Sequence, residues 1–219
     1  MAAAYAHSCP CFHDALEVSS FDMAAILTQA QQEEFLLDLE AGPLDNFSMA
    51  ALLFEAMIRY RAANLPYPRA TVLLRGHGAP VLIQGANCGL FVTPVGTVAG
   101  IDCRRSLEFF GLKLDNTTSS LAPLRNRRKD DVGIESFGLS KVSRQQFIQA
   151  VGPTSNQQVE QVLVKVHRWT DKQVAHFTAA PNQASLQAIR DASNFMIKAY
   201  MCLLYDALGR PRPQLNPSN

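Results

Sequence analysis

Three side chains that can take part in phosphate chemistry, Arg168, Lys172 and His176, recur at intervals of four residues in the C-terminal part of the sequence. On a helix this spacing puts them along one face, with Asp171 beside them. A histidine next to fixed cations has a lowered pKa and can serve as acid or base near neutral pH. A neighbouring arginine or lysine can hold a phosphate or a developing negative charge. The pattern, called here the 168–176 ridge, predicts a phosphate-directed site; the alternative is a charged helix face that is only solvated.

A second group of cations, Arg125, Arg127, Arg128 and Lys129, lies in a polar segment rich in turn-forming residues. Clustered cations bind phosphates, and the resulting affinity for nucleic acid falls with salt. The distribution of charge permits such a surface: residues 1–66 hold two basic and nine acidic residues, whereas the remainder holds eighteen basic and ten acidic ones. The sequence therefore predicts a nucleic-acid-binding loop here. The alternative is an ordinary solvated loop, because two aspartates follow the cluster directly.

Two further clusters suggest less chemistry. His7, Cys9, Cys11 and His13 are potential metal ligands, but single-residue spacing around a proline does not easily close a tetrahedral zinc site. The glycine-rich stretch 75–78 matches neither of the common phosphate-cradling patterns and is interpreted as a turn. We therefore expect neither a metal site nor a cofactor.

Composition is typical of a globular protein, with 47% apolar and 18% charged residues. No apolar run reaches the roughly 18 residues that a bilayer-spanning helix needs. The N-terminus lacks the pattern of a signal peptide, and five cysteines leave one unpaired in any full pairing, so thiols are expected. These features predict a cytoplasmic protein with no membrane partner.

The spacing of apolar residues predicts a mainly α fold, a bundle of about five to six helices with a short glycine-rich β-hairpin or loop inserted near residues 70–100. Residues 1–20 are expected to be a flexible leader, residues 21–209 a single helical-bundle domain, and residues 210–219 a tail.

Capping and breaking residues predict where the helices of the first half begin and end. A helix that starts near Phe21 is expected to stop at Gly42-Pro43, and a second to end before Pro66. The helical pattern returns at Ile101 and closes at Gly111. Residues 115–138 are then expected to form a surface loop.

The second half has a clearer pattern. Ser143 and Gln146 match a capping box that opens a short helix ending at Gly152. Two long helices, about residues 156–177 and 182–208, are expected to pack antiparallel as half of a bundle.

The stretch Asp171-Lys172-Gln173-Val174-Ala175-His176-Phe177 resembles a motif of the HEPN superfamily (higher eukaryotes and prokaryotes nucleotide-binding), in its abortive-infection-like branch. Residues 103–112, Cys-Arg-Arg-Ser-Leu-Glu-Phe-Phe-Gly-Leu, look like a helix end of the same branch. Asp130-Asp131 follow in a polar loop, as a similar pair often does there. The HEPN-like part spans residues 101–208, about half of the chain.

The resemblance implies an all-α bundle that forms a homodimer through its last two long helices. It implies an RNA-directed protein, a metal-independent ribonuclease of a defence or toxin–antitoxin type, with a cognate antitoxin or regulator as partner. His176 would then be the general acid or base, supported by Lys172, Arg168 and Asp171. The family's arginine, six positions before the histidine, is replaced by Thr170. The alternatives are a non-catalytic HEPN-like binding or dimerisation module, and a helical protein with a small-molecule pocket near the glycine-rich segment.

Overall fold

A computed structural model describes residues 26–65, 69–74, 81–87, 89–115, 117–128, 131–152, 155–175 and 183–215. The leader predicted for residues 1–20, the turn predicted at 75–78 and the connection between the last two helices lie outside these ranges.

The described part of the chain is mainly helical, which confirms the predicted fold class. Its α-helices are α1 (Gln29–Leu39), α2 (Asp45–Ala62), α3 (Gly89–Phe109), α4 (Arg144–Val151), α5 (Asn156–Ala175) and α6 (Gln183–Tyr200). Two antiparallel hairpins accompany them, β1 (Arg69–Leu74) with β2 (Val81–Asn87) and β3 (Leu112–Asp115) with β4 (Ser120–Pro123). None of the helices in the described ranges combines the length and the apolar character that crossing a bilayer requires.

The connection between α1 and α2 differs from the prediction that Gly42-Pro43 stops the first helix. Residues Glu40–Leu44 form a π-helical turn that contains Pro43, and α2 follows without a break. A π turn pairs residues five apart, which lets the chain pass a proline that has no N–H to donate. Leu39, Leu44 and Phe47 are all buried, so one apolar stripe continues through the turn. Burial of that stripe therefore outweighs the local helix-breaking signal.

Helix α3 begins twelve residues earlier than the predicted start at Ile101, so the inserted β-hairpin ends at Asn87. Its first half contains Pro94, Gly96 and Gly100, residues that normally interrupt a helix. The two glycines are buried where α3 packs against α5. A Cβ added to Gly96 would lie 2.7 Å from Cη2 of Trp169. These glycines therefore serve the close approach of two helices rather than a turn.

The region predicted as a surface loop, residues 115–138, is more ordered than expected. It contains β4 and a 3-10 turn at Ile134–Phe137, and its apolar residues Leu121, Ile134 and Phe137 are buried. The Leu121 N–H donates a hydrogen bond of 2.9 Å to Oε1 of Glu160 on α5. These buried side chains and this hydrogen bond fix the segment to the core, although most of its residues are polar.

Four predicted boundaries are confirmed. Ser143 caps α4, since its Oγ accepts from the Gln146 N–H at 3.2 Å and its N–H donates to Oε1 of Gln146 at 2.8 Å. The backbone φ is +82° at Gly111 and +117° at Gly152, so each helix ends at a glycine in a conformation that side chains disfavour. The chain leaves the last helical turn at Gly209.

The core is organised around α6, which packs against α2, α3, α4 and α5. Aromatic rings from separate elements meet where α3 ends: Phe109 stacks on Phe35 of α1 at a centroid distance of 5.5 Å, and Phe110 contacts Tyr200 of α6 at 5.0 Å. The Tyr200 hydroxyl donates to Oγ of Ser106 at 3.0 Å, so its polar end is satisfied inside the core. This cluster fixes the C-terminal half of α3, the helix that carries the groove described below.

Candidate functional site

A groove of about 810 Å³ lies along α3, between α5 and the segment that follows β4. Its walls carry five cationic or titratable nitrogen-bearing side chains and two carboxylates, namely Arg104, Arg105, Arg127, Arg128, His167, Glu108 and Asp131. This surface is called the α3–α5 groove below. Arginines from two separate segments converge here, with His167 of α5 beside them.

The arginines on α3 point outward because their neighbours point inward. Cys103, Ser106 and Leu107 are buried, and Arg104 and Arg105 therefore fall on the exposed side of the helix. Nε of Arg104 lies 3.1 Å from Oε1 of Glu108 one turn later, and its side chain remains 63% exposed. An exposed ion pair of this kind contributes little to stability. The Arg104 guanidinium can therefore leave Glu108 and bind a phosphate with little loss of free energy.

The third wall, residues 124–128 together with Asp131, is held against α3 by Arg127. Its guanidinium Nη2 donates to the carbonyl oxygens of Glu108 at 2.6 Å and Phe109 at 3.2 Å, the last carbonyls of the helix. It also lies 3.3 Å from Oε2 of Glu135, and both side chains are about nine-tenths buried. Arg127 therefore caps α3 and positions the wall.

Arg128, the next residue, is exposed. Its backbone N–H donates to a carboxylate oxygen of Asp131 at 3.2 Å, and the Asp131 N–H donates to the Arg128 carbonyl at 3.1 Å. This turn presents the Arg128 side chain at the groove. In the described part of the chain, no ion pair within 4.0 Å involves Arg105, Arg125 or Arg128. The groove thus keeps cationic groups that are not already neutralised by a contacting carboxylate there.

Arg168 is the member of the predicted 168–176 ridge whose side chain the structure describes, and it does not line the groove. Arg168 is exposed, and its Nη2 donates to Oγ of Ser119 in the turn between β3 and β4 at 3.1 Å. Asp171 and Lys172 belong to the last turns of α5, and His176 follows the last helical residue, outside the described range. Arg168 is rotated by about 100° around α5 from His167, which faces the groove.

Thr170, where the HEPN resemblance implies an arginine, is a packing residue. It is 6% exposed, and its Oγ1 donates to the Val166 carbonyl one turn earlier at 2.8 Å. Its side chain lies directly against Gly100 of α3. This contact leaves no room for a long side chain at position 170 in the present packing of the two helices.

The predicted cluster 125–129 divides into residues with different surroundings. Arg125 is exposed on the loop, Arg127 is buried as the cap of α3, and Arg128 lines the groove. Lys129 lies outside the described residues. Only one described member of the cluster, Arg128, is therefore both exposed and part of the groove.

Sequence analysis did not single out Arg104, Arg105 or His167 as site residues. A usable signal was present for the two arginines, because they sit between apolar residues of a helical stripe and must face away from it. His167 had no such signal, since its role depends on α3 and α5 lying side by side. It is half-buried in the wall of the groove.

Asp102 is the one carboxylate among the described α3 residues that is buried, with 5% of it exposed. Burial raises the pKa of Asp102, while a hydrogen bond from Nδ2 of Asn46 at 2.9 Å and the charge of Arg105 act in the other direction. Burial also raises the pKa of the neighbouring Cys103 thiol, which is therefore a weak nucleophile. Asp102 does not line the α3–α5 groove, and Cys103 is a weak nucleophile, so we assign neither of them a chemical role there.

Within the described ranges no three His, Cys, Asp or Glu side chains are grouped so as to hold a metal ion. The potential ligands His7, Cys9, Cys11 and His13 lie outside those ranges. The groove itself offers nitrogen-bearing cations, which bind anions rather than metals.

Comparisons of the chain with models of protein families, with curated proteins and with solved structures found no match. The α3–α5 groove and the short sequence motifs are therefore the features of the chain that bear on its function.

Proposed function

We propose that this chain is an HEPN-like, RNA-directed protein that binds RNA through the α3–α5 groove. The observation that carries the proposal is the convergence of Arg104, Arg105 and Arg128, from two separate segments, on one groove that also holds His167. Arginine side chains bind phosphate oxygens with two parallel hydrogen bonds, which suits a chain of phosphates.

The electrostatics of the groove support binding of an anion. Two carboxylates, Glu108 and Asp131, also line it, but Asp131 is engaged by a backbone N–H and Glu108 by Arg104. A phosphate that enters can replace Glu108 as the partner of Arg104. The excess of basic residues after position 66 adds a long-range attraction for polyanions.

Salt-dependent binding of a labelled single-stranded RNA tests the proposal. Arg104→Ala should weaken binding and reduce the slope of log affinity against log salt by about 0.7, the value for one lost phosphate contact on a single strand. Arg59→Ala is the matched control, because Arg59 of α2 is also exposed and also pairs through Nε with a glutamate four residues away. Equal binding by wild type and Arg104→Ala at every salt concentration would remove the groove from consideration.

Cleavage of the bound RNA is a second candidate function, with His176 as general acid or base and Lys172, Arg168 and Asp171 in support. The supporting observation is that α5 remains helical to Ala175, so the ridge is helical up to the residue before His176. The buried Thr170 favours the alternative, a non-catalytic binding module, because the family's arginine has no counterpart there. Metal-free cleavage of RNA that is lost in His176→Ala would support the enzyme, and tight binding without cleavage would support the module.

The resemblance to the HEPN superfamily adds two partners to the proposal, a second copy of this chain and a cognate antitoxin or regulator. The sequence composition adds a cytoplasmic location. Sedimentation velocity at several protein concentrations tests the dimer. A monomer at all concentrations would remove a site that is shared between two subunits, while the groove of a single chain would stay open to the binding experiment.

A further inference from the structure

A second, more enclosed pocket of about 400 Å³ opens from the α3–α5 groove. The two cavities share five lining residues, among them Arg104, Glu108 and His167. This inner pocket lies between α3, α5 and β3. A molecule held by the arginines of the groove can therefore extend into it without leaving the surface.

The lining of the inner pocket is about equally polar and apolar. Leu114 of β3 is half-buried and contributes accessible apolar surface, whereas Leu107 of α3 and Leu163 of α5 are already almost fully buried. A nucleobase suits such a mixed lining, because its faces can cover apolar surface and its edges can form hydrogen bonds.

The rim of the inner pocket carries the polar groups that a nucleobase needs. Glu108 offers an acceptor and Lys113 of β3 a donor, so both kinds of group on the edge of a base can find a partner. Arg104 and His167 stand where the two cavities join, and the planes of a guanidinium and an imidazole are surfaces on which bases stack.

We infer that the inner pocket receives one unstacked base, and that the ligand of the α3–α5 groove is single-stranded RNA. This inference rests on the proposed function and sharpens it, since the groove alone would accept phosphates of any strand. In a duplex the bases are paired and stacked, so turning one base into a pocket beside the backbone costs unpairing and unstacking energy that a single strand does not pay. The groove supplies affinity through phosphates, and the inner pocket supplies the preference for a single strand.

Three probes of equal length separate the contributions of base and backbone: a single-stranded RNA of mixed sequence, an abasic strand with the same ribose-phosphate backbone, and an RNA duplex. The wild-type protein should bind the base-bearing strand roughly tenfold more tightly than the abasic strand at the same salt concentration. The salt slopes of the two strands should agree, because the phosphate contacts are the same. The duplex should bind no better than the abasic strand.

Leu114→Trp tests the pocket itself, because a larger side chain on β3 fills it and leaves every arginine in place. The preference for bases over the abasic strand should shrink to within about twofold, with an unchanged salt slope. Leu52→Trp is the matched control, since Leu52 is 46% exposed on α2, away from the groove. If Leu114→Trp lowers the thermal midpoint, the smaller change Leu114→Phe carries the comparison.

The outcomes distinguish the inner pocket from the groove. Equal affinity for the base-bearing and abasic strands would contradict base binding in the inner pocket, and so would a preference for bases that remains in Leu114→Trp. Binding that still depends on Arg104 would, in either case, support phosphate binding in the groove. Absence of binding to all three probes overturns both. Preferential binding of the duplex would contradict base binding in the inner pocket and would mean that the groove contacts only the RNA backbone.

Discussion

Gly100 of α3 and Thr170 of α5 fill one space between their helices: a Cβ on Gly100 would overlap Oγ1 of Thr170. Thr170 is held in that position by its own hydrogen bond to the Val166 carbonyl. The contact sets the distance between α3 and α5, and therefore the width of the groove that Arg104 and His167 share. It also explains why a small side chain stands at position 170, where the HEPN resemblance implies an arginine.

Gly100→Ala should destabilise the protein by about 1–3 kcal/mol, the usual cost of an added methyl group in a packed interior. The change also improves helix propensity by roughly 1 kcal/mol, so a net loss would come from the clash alone. Gly42→Ala is the control, because nothing lies within 4 Å of an added Cβ there. Urea denaturation of both variants measures the difference.

The double variant Gly100→Ala/Thr170→Ala decides whether Thr170 is the cause. Removing the hydroxyl and methyl groups of Thr170 should recover part of the loss, with a coupling of about 0.5–3 kcal/mol between the two positions. Strictly additive changes in unfolding free energy would mean that the strain is taken up elsewhere.

The same pair of positions marks the limit of what the sequence could predict. Ser143 and Gly152 act on residues within four positions, and their roles in starting and ending α4 were predictable from local chemistry alone. Gly96 and Gly100 carry the same residue type as Gly152, but their role depends on Trp169 and Thr170, some seventy residues away. Local signals therefore predicted a break in α3 where a tertiary contact required a helix.

The candidate site follows the same division. Arg128 was predictable as an exposed cation in a turn, and Arg127 looked identical in sequence although it is buried as the cap of α3. His167 could not be predicted, because its neighbours in the groove come from α3 and from the loop after β4. The residue types were evident from the sequence, and the fold decided which of them face one another.

Arg127→Ala should lower stability much more than Arg125→Ala, although both residues belong to one cationic cluster. Loss of Arg127 leaves the Phe109 carbonyl without this donor and removes a partner from Glu135, while the Glu108 carbonyl keeps its hydrogen bond from the Gly111 N–H. We therefore expect the free energy of unfolding to fall by about 3 kcal/mol. Arg125 is exposed, so its removal should change stability by less than about 0.5 kcal/mol. Guanidinium denaturation of the two variants measures both values.

Glu135→Gln is a companion variant to Arg127→Ala, because it removes the carboxylate charge that Arg127 contacts. Lys141 also lies 3.5 Å from the Glu135 carboxylate, so part of its charge stays compensated when Arg127 is removed. If Arg127→Ala proved as stable as wild type, the loop would not depend on this cap, and the positioning of Arg128 would need another explanation.

Glu160 should make stability depend on acidity. The side-chain hydrogen bonds from Arg144, at 2.6 and 2.8 Å, and the Leu121 N–H hold the pKa of Glu160 below its ordinary value of 4.5. A lowered pKa means that the folded state binds this proton less readily than the unfolded state does. The contribution is therefore present above about pH 4.5 and is lost as the pH falls through the lowered value.

Unfolding free energies measured from neutral pH downward, for wild type and Glu160→Gln, test this. Glu160→Gln should be less stable at neutral pH, and the gap should narrow as the pH falls below 4.5. Glu34→Gln, a change of an exposed residue on α1, is the control and should leave the profile unchanged. A gap that stays constant with pH would mean that Glu160 acts through packing and not through its charge.

Asp102→Asn should have the reverse effect. Burial raises the pKa of Asp102 above its ordinary value of 3.8, so its contribution is fully present at low pH and is lost as the pH rises through the raised value. An asparagine keeps an acceptor for Nδ2 of Asn46 without burying a charge. We therefore expect Asp102→Asn to be more stable than wild type at neutral pH, with the difference shrinking as the pH approaches 3.8. Thermal unfolding across this pH range measures the difference in stability, with Asp38→Asn, a change at an exposed position on α1, as the control.

A loss of stability in Asp102→Asn at neutral pH would mean that the attraction of Arg105 outweighs the cost of burial. Asp102 would then help to orient Arg105 at the edge of the groove.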